Sequence, residues 1–255
     1  MEEKEIQWLL NEKYHGEKSD TFFADCKRLA LGEPLAYIIG FTPFLDCKIW
    51  LDSFPLIPRS ETEFWTNECL ETIKNAQTVS LGLEKQSIRI LDLCAGSGCI
   101  GIALAKALPN ARVEFSEIDR RHIPTIEKNV RENNVDAQRT LIHHTDLFTG
   151  IAGQFNYIVC NPPYIDEQNS RAEISVVDHE PHLALFGGAA GLETIEKIIA
   201  ASKYHLAPSG QLWLEHEPEQ VVAIAKLAET HGLQATTYPD QYTVDRFTVV
   251  HYTQV

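Results

Sequence analysis

The chain has 255 residues, 44% apolar and 23% charged, which leaves room for one large α/β domain plus a small appendage and excludes a disordered, collagen-like or coiled-coil protein. Against 36 Asp and Glu stand 22 Lys and Arg, and the resulting net charge of -14 repels a phosphate backbone and argues against direct nucleic-acid binding. Six cysteines without a CxxC pair read as reduced thiols of a cytoplasmic protein, and no apolar run nears the ~18 residues of a membrane span.

In chain order, the acidic, amphipathic N-terminus is neither a signal nor a transit peptide. Apolar residues at helical spacing predict helices over 3–12 (Ile6, Leu9, Leu10) and 20–31 (Phe22, Phe23, Cys26, Leu29, Ala30). GEPLAYIIG then breaks the chain, and FLDCKIWLDSFPLIP reads as two short strands joined by a turn. Ser60 with Glu63 three residues on forms a capping-box signature for a helix over 61–74. Residues 1–60 are therefore expected to form a small helical and hairpin module, and 61–255 the main domain.

From residue 88 strands alternate with helices, the pattern of a parallel sheet covered on both faces. Strands are predicted at 88–93, 112–116, 139–143, 155–160 and 210–215, with helices at 98–107, 120–133, 191–205 and 217–231. Val221, Val222, Ile224, Ala225 and Leu227 are expected to be core positions of the last helix. Segments 233–239 and 245–252 lack an intervening helix and predict an antiparallel closing pair, an ending more typical of methyltransferases than of dehydrogenases.

LDLCAGSGCIGIALA sets Asp92, Gly96, Gly98 and Gly101 between the first main strand and an apolar helix. Gly96 and Gly98 permit close backbone approach, and the helix start offers free N–H groups. Glu117, 19 residues beyond Gly98 at the tip of the second strand, suits a pair of ribose hydroxyls; Asp119 competes for that role, but its place in the following turn suits a cap of the next helix and Glu117 is preferred. Locally this indicates an adenosine-type cofactor, either NAD or S-adenosylmethionine (SAM).

The strand at 155–160 ends in Asn161-Pro162-Pro163-Tyr164. Two prolines make a rigid, exposed turn. A planar NH2 group can donate one hydrogen bond to the Asn161 side-chain oxygen and one to the Pro162 carbonyl while the Tyr164 ring covers its face. Both acceptors localise electron density on a nitrogen whose lone pair is otherwise delocalised. That chemistry is methyl transfer to nitrogen, which selects SAM over NAD.

With these motifs the chain resembles the PrmC/HemK family of N5-glutamine methyltransferases, which modify the GGQ glutamine of peptide-chain release factors. GEPLAYIIG, LIPRSETE (Leu56 to Glu63), NPPYID, HEPHLALFGGAAGLE (His179 to Glu193), LEHEPEQ (Leu214 to Gln220) and DRFTVV carry the likeness, from Gly32 onward. The resemblance implies a class I SAM-dependent methyltransferase fold, Rossmann-like and doubly wound, with an antiparallel C-terminal strand. It assigns Asp92, Cys94, Ala95, Gly96, Ser97, Gly98, Glu117, Asp146, Leu147 and Asn161 to SAM, with Asp146 and Leu147 near the adenine. Asn161, Pro162, Pro163 and Tyr164 fall to the glutamine amide, with Asn161, Pro162 and Tyr164 as the catalytic set.

This chain departs from the family at Cys94 and Ala95, where Gly or Ala-rich residues are usual, at Glu117 in place of Asp, and at Leu147, often a bulkier residue. Only 31 residues precede GEPLAY, against a larger helical domain in typical members. The release factor is the expected partner and a monomer the expected state. Alternatives are a ribosomal-protein glutamine, adenine N6, a noncatalytic SAM-binding module, or an oxidoreductase suggested by GxGxxG. His143 and His144, adjacent on a strand, point to opposite faces and predict no metal site. Asp166 and Glu167 are not needed as a general base, and Arg59 and Glu61 contact substrate or fix the linker.

Overall fold

A computed structural model describes residues 3–79, 87–168 and 174–253. Three helices come first: α1 (Glu3–Glu12), α2 (Asp20–Ala30) and α3 (Leu35–Ile39). Ser19 caps α2 by accepting from the Phe22 N–H, and Leu9, Leu10, Phe22, Leu29 and Ile38 form a separate small core. Asp25 ties the layer together, accepting from Lys13 Nζ (2.7 Å), the Tyr14 hydroxyl (2.6 Å) and Arg28 Nη1 (2.7 Å). GEPLAYIIG is more ordered than its breakers suggest. Pro34 starts the short α3 and Gly40, left-handed at φ 94°, ends it.

The hairpin pairs β1 (Phe41–Phe44) with β2 (Cys47–Trp50), so its first strand begins before the FLDC segment, and Pro43 is tolerated on a two-stranded edge. Its open side is covered by amides from α6 (Ile123–Glu132) and the residue that ends it. Asn129 accepts from Trp50 N and donates to Trp50 O, and Asn133 does the same with Lys48. Phe44, Cys47, Ile49 and Leu51 thereby enter the core of the main sheet beside Trp65 and Phe115.

The next helix, α4 (Ser60–Val79), is longer than expected, and the capping box does not form. Glu63 accepts from the Leu45 N–H of the hairpin turn, while Ser60 donates to Glu61. A long-range partner outcompetes the local one.

Seven strands follow: β3 (Arg89–Leu93), β4 (Arg112–Glu117), β5 (Thr140–His144), β6 (Phe155–Cys160), β7 (Leu206–Glu215), β8 (Leu233–Pro239) and β9 (Asp245–Tyr252). Their order is β5-β4-β3-β6-β7-β9-β8, parallel through β7 and antiparallel at β9. Strand alternation splits the core into two layers. Ile90, Val113, Phe115 and Val159 face α4, α5 (Cys99–Ala107) and α6, whereas Leu91, Leu93, Ile158 and Leu212 face α9 (Glu193–His205) and α10 (Val221–Thr230).

Two short helices, α7 (Ile174–His179) and α8 (His182–Leu185), precede α9 and were not legible in the sequence. In α10 the expected core stripe is corrected. Ile224 and Ala228, one turn apart, are buried, but Val222 is 80% exposed and Ala225 is exposed, because consecutive apolar residues cannot all face the sheet at 3.6 residues per turn.

The chain reverses its winding between β3 and β6, and at that switch point a crevice opens at the carboxyl ends of the strands. Leu93 pairs with both Ser116 and Cys160, so the residues following β3, β4 and β6 converge on one edge.

Candidate active site

The crevice is open to solvent. Of the residues expected to hold a cofactor, Cys94, Gly96, Glu117, Asp146, Leu147 and Asn161 line it. Asp92, Ala95, Ser97 and Gly98 do not; they build the turn behind it. Gly98 starts α5 in the left-handed region at φ 78°, and Ala95 donates its N–H to Ser116 O. Asp92 lies beneath, one oxygen accepting from Gly101 N at 2.9 Å and the other without a partner among the described residues. Burial pushes its carboxyl well above the usual carboxylate range.

Glu117 closes the end of β4 and accepts from Gly96 N and from Asp119 N, both at 2.7 Å, so one carboxylate braces the glycine turn and the next turn together. Asp119 caps the following helical turn through Arg121 N, as its position predicts, and the Arg121 guanidinium holds its carboxyl down near 2. His122, missed in the sequence, also lines the crevice. Its Nδ1 is 2.8 Å from Ser53 Oγ, and burial lowers its pKa, which makes it a neutral wall. Leu56, Leu147 and Leu183 supply apolar surface.

Asn161 and Pro163 reach the same crevice, while Pro162 and Tyr164 face a second cleft that shares Leu56, Asn161 and Ala184 with the first. Asn161 thus stands where the two meet. Behind it lies a buried network. Asn161 Nδ2 donates to Thr62 Oγ1 at 3.2 Å, and Thr62 donates to Glu215 Oε2 at 2.7 Å. Trp65 Nε1 donates to the same oxygen at 2.6 Å, and the Tyr164 hydroxyl donates to Oε1 at 2.9 Å.

A glycine shelf supports the turn from below. A Cβ at Gly187 would lie 2.4 Å from Pro163 O, and one at Gly191 would lie 1.8 Å from Tyr164 O. Gln220 Nε2 donates to Tyr164 O and to Ala190 O, locking shelf and turn together. Arg59 pairs with Glu180, which is only 4% exposed and also accepts from Ile57 N. Arg59 therefore ties the linker to the segment before α8, and it also lines the second cleft. His143 and His144 separate as expected, toward Glu114 Oε2 and Ile118 O respectively.

The methyltransferase small domain family matches residues 75–178. A release factor glutamine methyltransferase of Lactococcus lactis is 34% identical over 82% of this chain and 74% of its own length. The chain belongs to the release factor glutamine methyltransferase family. A second member, from Streptococcus pneumoniae, is 32% identical over 95% of this chain and 84% of its own. Among solved structures, a human methyltransferase 10 domain containing protein superposes with a TM-score of 0.53 at 18% identity, covering 78% of this chain and 85% of that one, a likeness of fold. The chain is thus an enzyme of the class I methyltransferase fold whose cofactor is S-adenosylmethionine.

The crevice suits that cofactor. A carboxylate and an apolar wall share one cavity, and among the described residues an added Cβ at Gly96 would meet nothing but Pro55 Cβ at 3.9 Å, so the turn is open to close approach. Among the described residues no helix is long and apolar enough to cross a membrane.

Proposed function

We propose that the chain transfers a methyl group from S-adenosylmethionine to the side-chain amide nitrogen of a glutamine in a peptide-chain release factor, the substrate class that its relatives are named for. The observation that carries this reading is the placement of Asn161 at the junction of two clefts, its amide nitrogen engaged by Thr62 and its oxygen accepting from no described residue.

The cofactor, when bound, supplies an electrophilic methyl group. Glu117 would hold the ribose hydroxyls, Leu147 and Asp146 would lie beside the adenine, and the turn from Cys94 to Gly98 would offer its backbone. Asp92 acts from beneath through Gly101. In the second cleft Asn161 Oδ1 and the Pro162 carbonyl accept the two amide hydrogens, and Tyr164 bounds the planar group. Two fixed acceptors draw density onto the amide nitrogen and aim it across the junction, so positioning supplies most of the rate. The proton released on transfer passes to water.

Residues 1–60 serve as the substrate-docking module and 61–255 as the catalytic domain. The separate apolar core of α1 to α3 supports a distinct N-terminal module, and the hairpin's packing into the main core fixes that module against the catalytic domain. The net charge of -14 favours a protein target over nucleic acid, and the chain acts as a cytoplasmic monomer. The test is Asn161→Ala. SAM affinity stays within a few fold while turnover on a release factor falls about a hundredfold, the loss of one orienting contact at the reacting nitrogen. Near-normal turnover would make the turn merely structural.

A further inference from the structure

We infer that Thr62 is a positioning residue for methyl transfer: its hydroxyl, oriented by the buried Glu215 carboxylate, fixes which face of the Asn161 amide meets the substrate. The inference rests on the glutamine-methylation reading and deepens it. Trp65 Nε1–H is a donor only, so the Glu215 oxygen it meets at 2.6 Å is an acceptor. Thr62 Oγ1 lies 2.7 Å from that same oxygen and has one hydrogen, which it spends there. What Thr62 leaves for Asn161 is a lone pair.

Only an N–H completes the remaining 3.2 Å contact, so Asn161 must present Nδ2 to Thr62. The reversed amide would set Oδ1 against Oγ1, two acceptors face to face with no hydrogen between them. Oδ1 is therefore turned to the side where the two clefts meet, as an acceptor for the substrate amide. A flipped Asn161 would offer a donor to a donor and bind no amide hydrogen.

The chain of contacts is insulated from solvent. Thr62 and Glu215 are each 1% exposed and Trp65 is fully buried. No water competes for the Thr62 hydroxyl, so its direction is set by the carboxylate. The same carboxylate accepts from the Tyr164 hydroxyl on its other oxygen, which makes Glu215 the common anchor of the first and last residues of the NPPY turn. Thr62 sits in the LIPRSETE segment, 99 residues from Asn161, and its own carbonyl accepts from Thr66 on the next turn of α4.

Thr62→Val tests this without opening a cavity, since it removes the hydroxyl and keeps the branched shape, while Thr62→Ser retains the hydroxyl. For Thr62→Val the expected result is an unchanged SAM affinity and a turnover lowered about tenfold or more, restored by Thr62→Ser. In an Asn161→Ala background Thr62→Val should add no further loss, because the group it positions is gone. A packing role would cost the same in either background. Wild-type Thr62→Val turnover, or an equal loss in both backgrounds, overturns the inference.

A second readout is independent of catalysis. The Asn161 side-chain NH2 resonances, recognised as the pair missing from Asn161→Ala, should be protected from solvent exchange in the wild type and in Thr62→Ser, but not in Thr62→Val. Equal exchange in all three refutes the contact. Intact protection with no methylation of glutamine by the wild-type protein would instead refute the glutamine reading and leave the amide orientation standing.

Discussion

Gly191 offers a quantitative probe of how the NPPY turn is held. An alanine methyl there would lie 1.8 Å from Tyr164 O, 2.6 Å from its carbonyl carbon and 2.7 Å from Gln220 Nε2, about 1.6 Å inside ordinary contact with the oxygen. The glycine also has φ 66°, a left-handed conformation that costs an alanine about 1 to 2 kcal/mol. Overpacking against backbone adds about 1 to 3 kcal/mol, so Gly191→Ala should destabilise the fold by about 2 to 5 kcal/mol. At roughly 2 to 4 °C per kcal/mol for a chain of this size, Tm should fall by about 4 to 20 °C. The obstacle is the carbonyl of Tyr164 itself, so relief of the clash moves the NPPY turn, which is proposed to orient the substrate amide. A shift of about 1 Å there should lower kcat about a hundredfold, with SAM affinity largely retained. Calorimetry for Tm and SAM binding, with initial rates on a release factor well below the variant's Tm, measures all three. A variant with wild-type kcat, whatever its Tm, would refute the claim that the glycine shelf positions Tyr164 and its neighbours.

Glu117→Ala should weaken SAM binding by about 1 to 3 kcal/mol, read by calorimetry, since it removes both the carboxylate proposed for the ribose and the brace on Gly96; NAD bound more tightly than SAM by the wild type would sink the cofactor assignment. Burial raises the Glu215 carboxyl above its ordinary value near 4.5, against the hydrogen bonds from Trp65, Thr62 and Tyr164 and the charge of Arg246. The carboxylate is the working form, so kcat should fall as pH drops through that raised value, and Glu215→Gln, which cannot titrate, should lose this acid limb; an identical pH profile in the two proteins contradicts the assignment. Burial works against the Asp25 carboxylate, yet hydrogen bonds from Lys13, Tyr14 and Arg28 hold its pKa below the ordinary value of 3.8. Its contribution is therefore present above pH 3.8 and lost as pH falls through the lower folded value, and Asp25→Asn should unfold α1 to α3 more readily by about 1 to 2 kcal/mol at pH 7, measured by hydrogen exchange.

The parts of the site that follow from local pattern were legible in the sequence. The strand, glycine turn and helix around Gly96 and Gly98, the acid at the tip of β4, the NPPY turn after β6 and the antiparallel closing pair each depend on contiguous residues with a fixed period. What escaped was whatever depends on distant partners. Glu215 ends a strand as many surface acids do, and nothing in LEHEPEQ says that Thr62, Trp65 and Tyr164 converge on it across separations of 153, 150 and 51 residues. Glu63 looked like a capping residue until the hairpin brought the Leu45 N–H to it. The Arg59 pairing was hidden for the same reason, since Glu180 comes from a segment 121 residues away. The valine pair in α10 misled because apolar character was read without helical phase, which leaves Val222 on the solvent side.

The central claim is that this crevice methylates a protein glutamine rather than a nucleic-acid base. Incubating the full chain with methyl-labelled S-adenosylmethionine and, in parallel, a purified release factor or an adenine-containing oligonucleotide at physiological salt tests it directly. Peptide mass spectrometry should place a single added methyl group on the glutamine of the release factor's GGQ loop, with the oligonucleotide unlabelled. Label on the oligonucleotide, or on no glutamine of the release factor, would contradict the account.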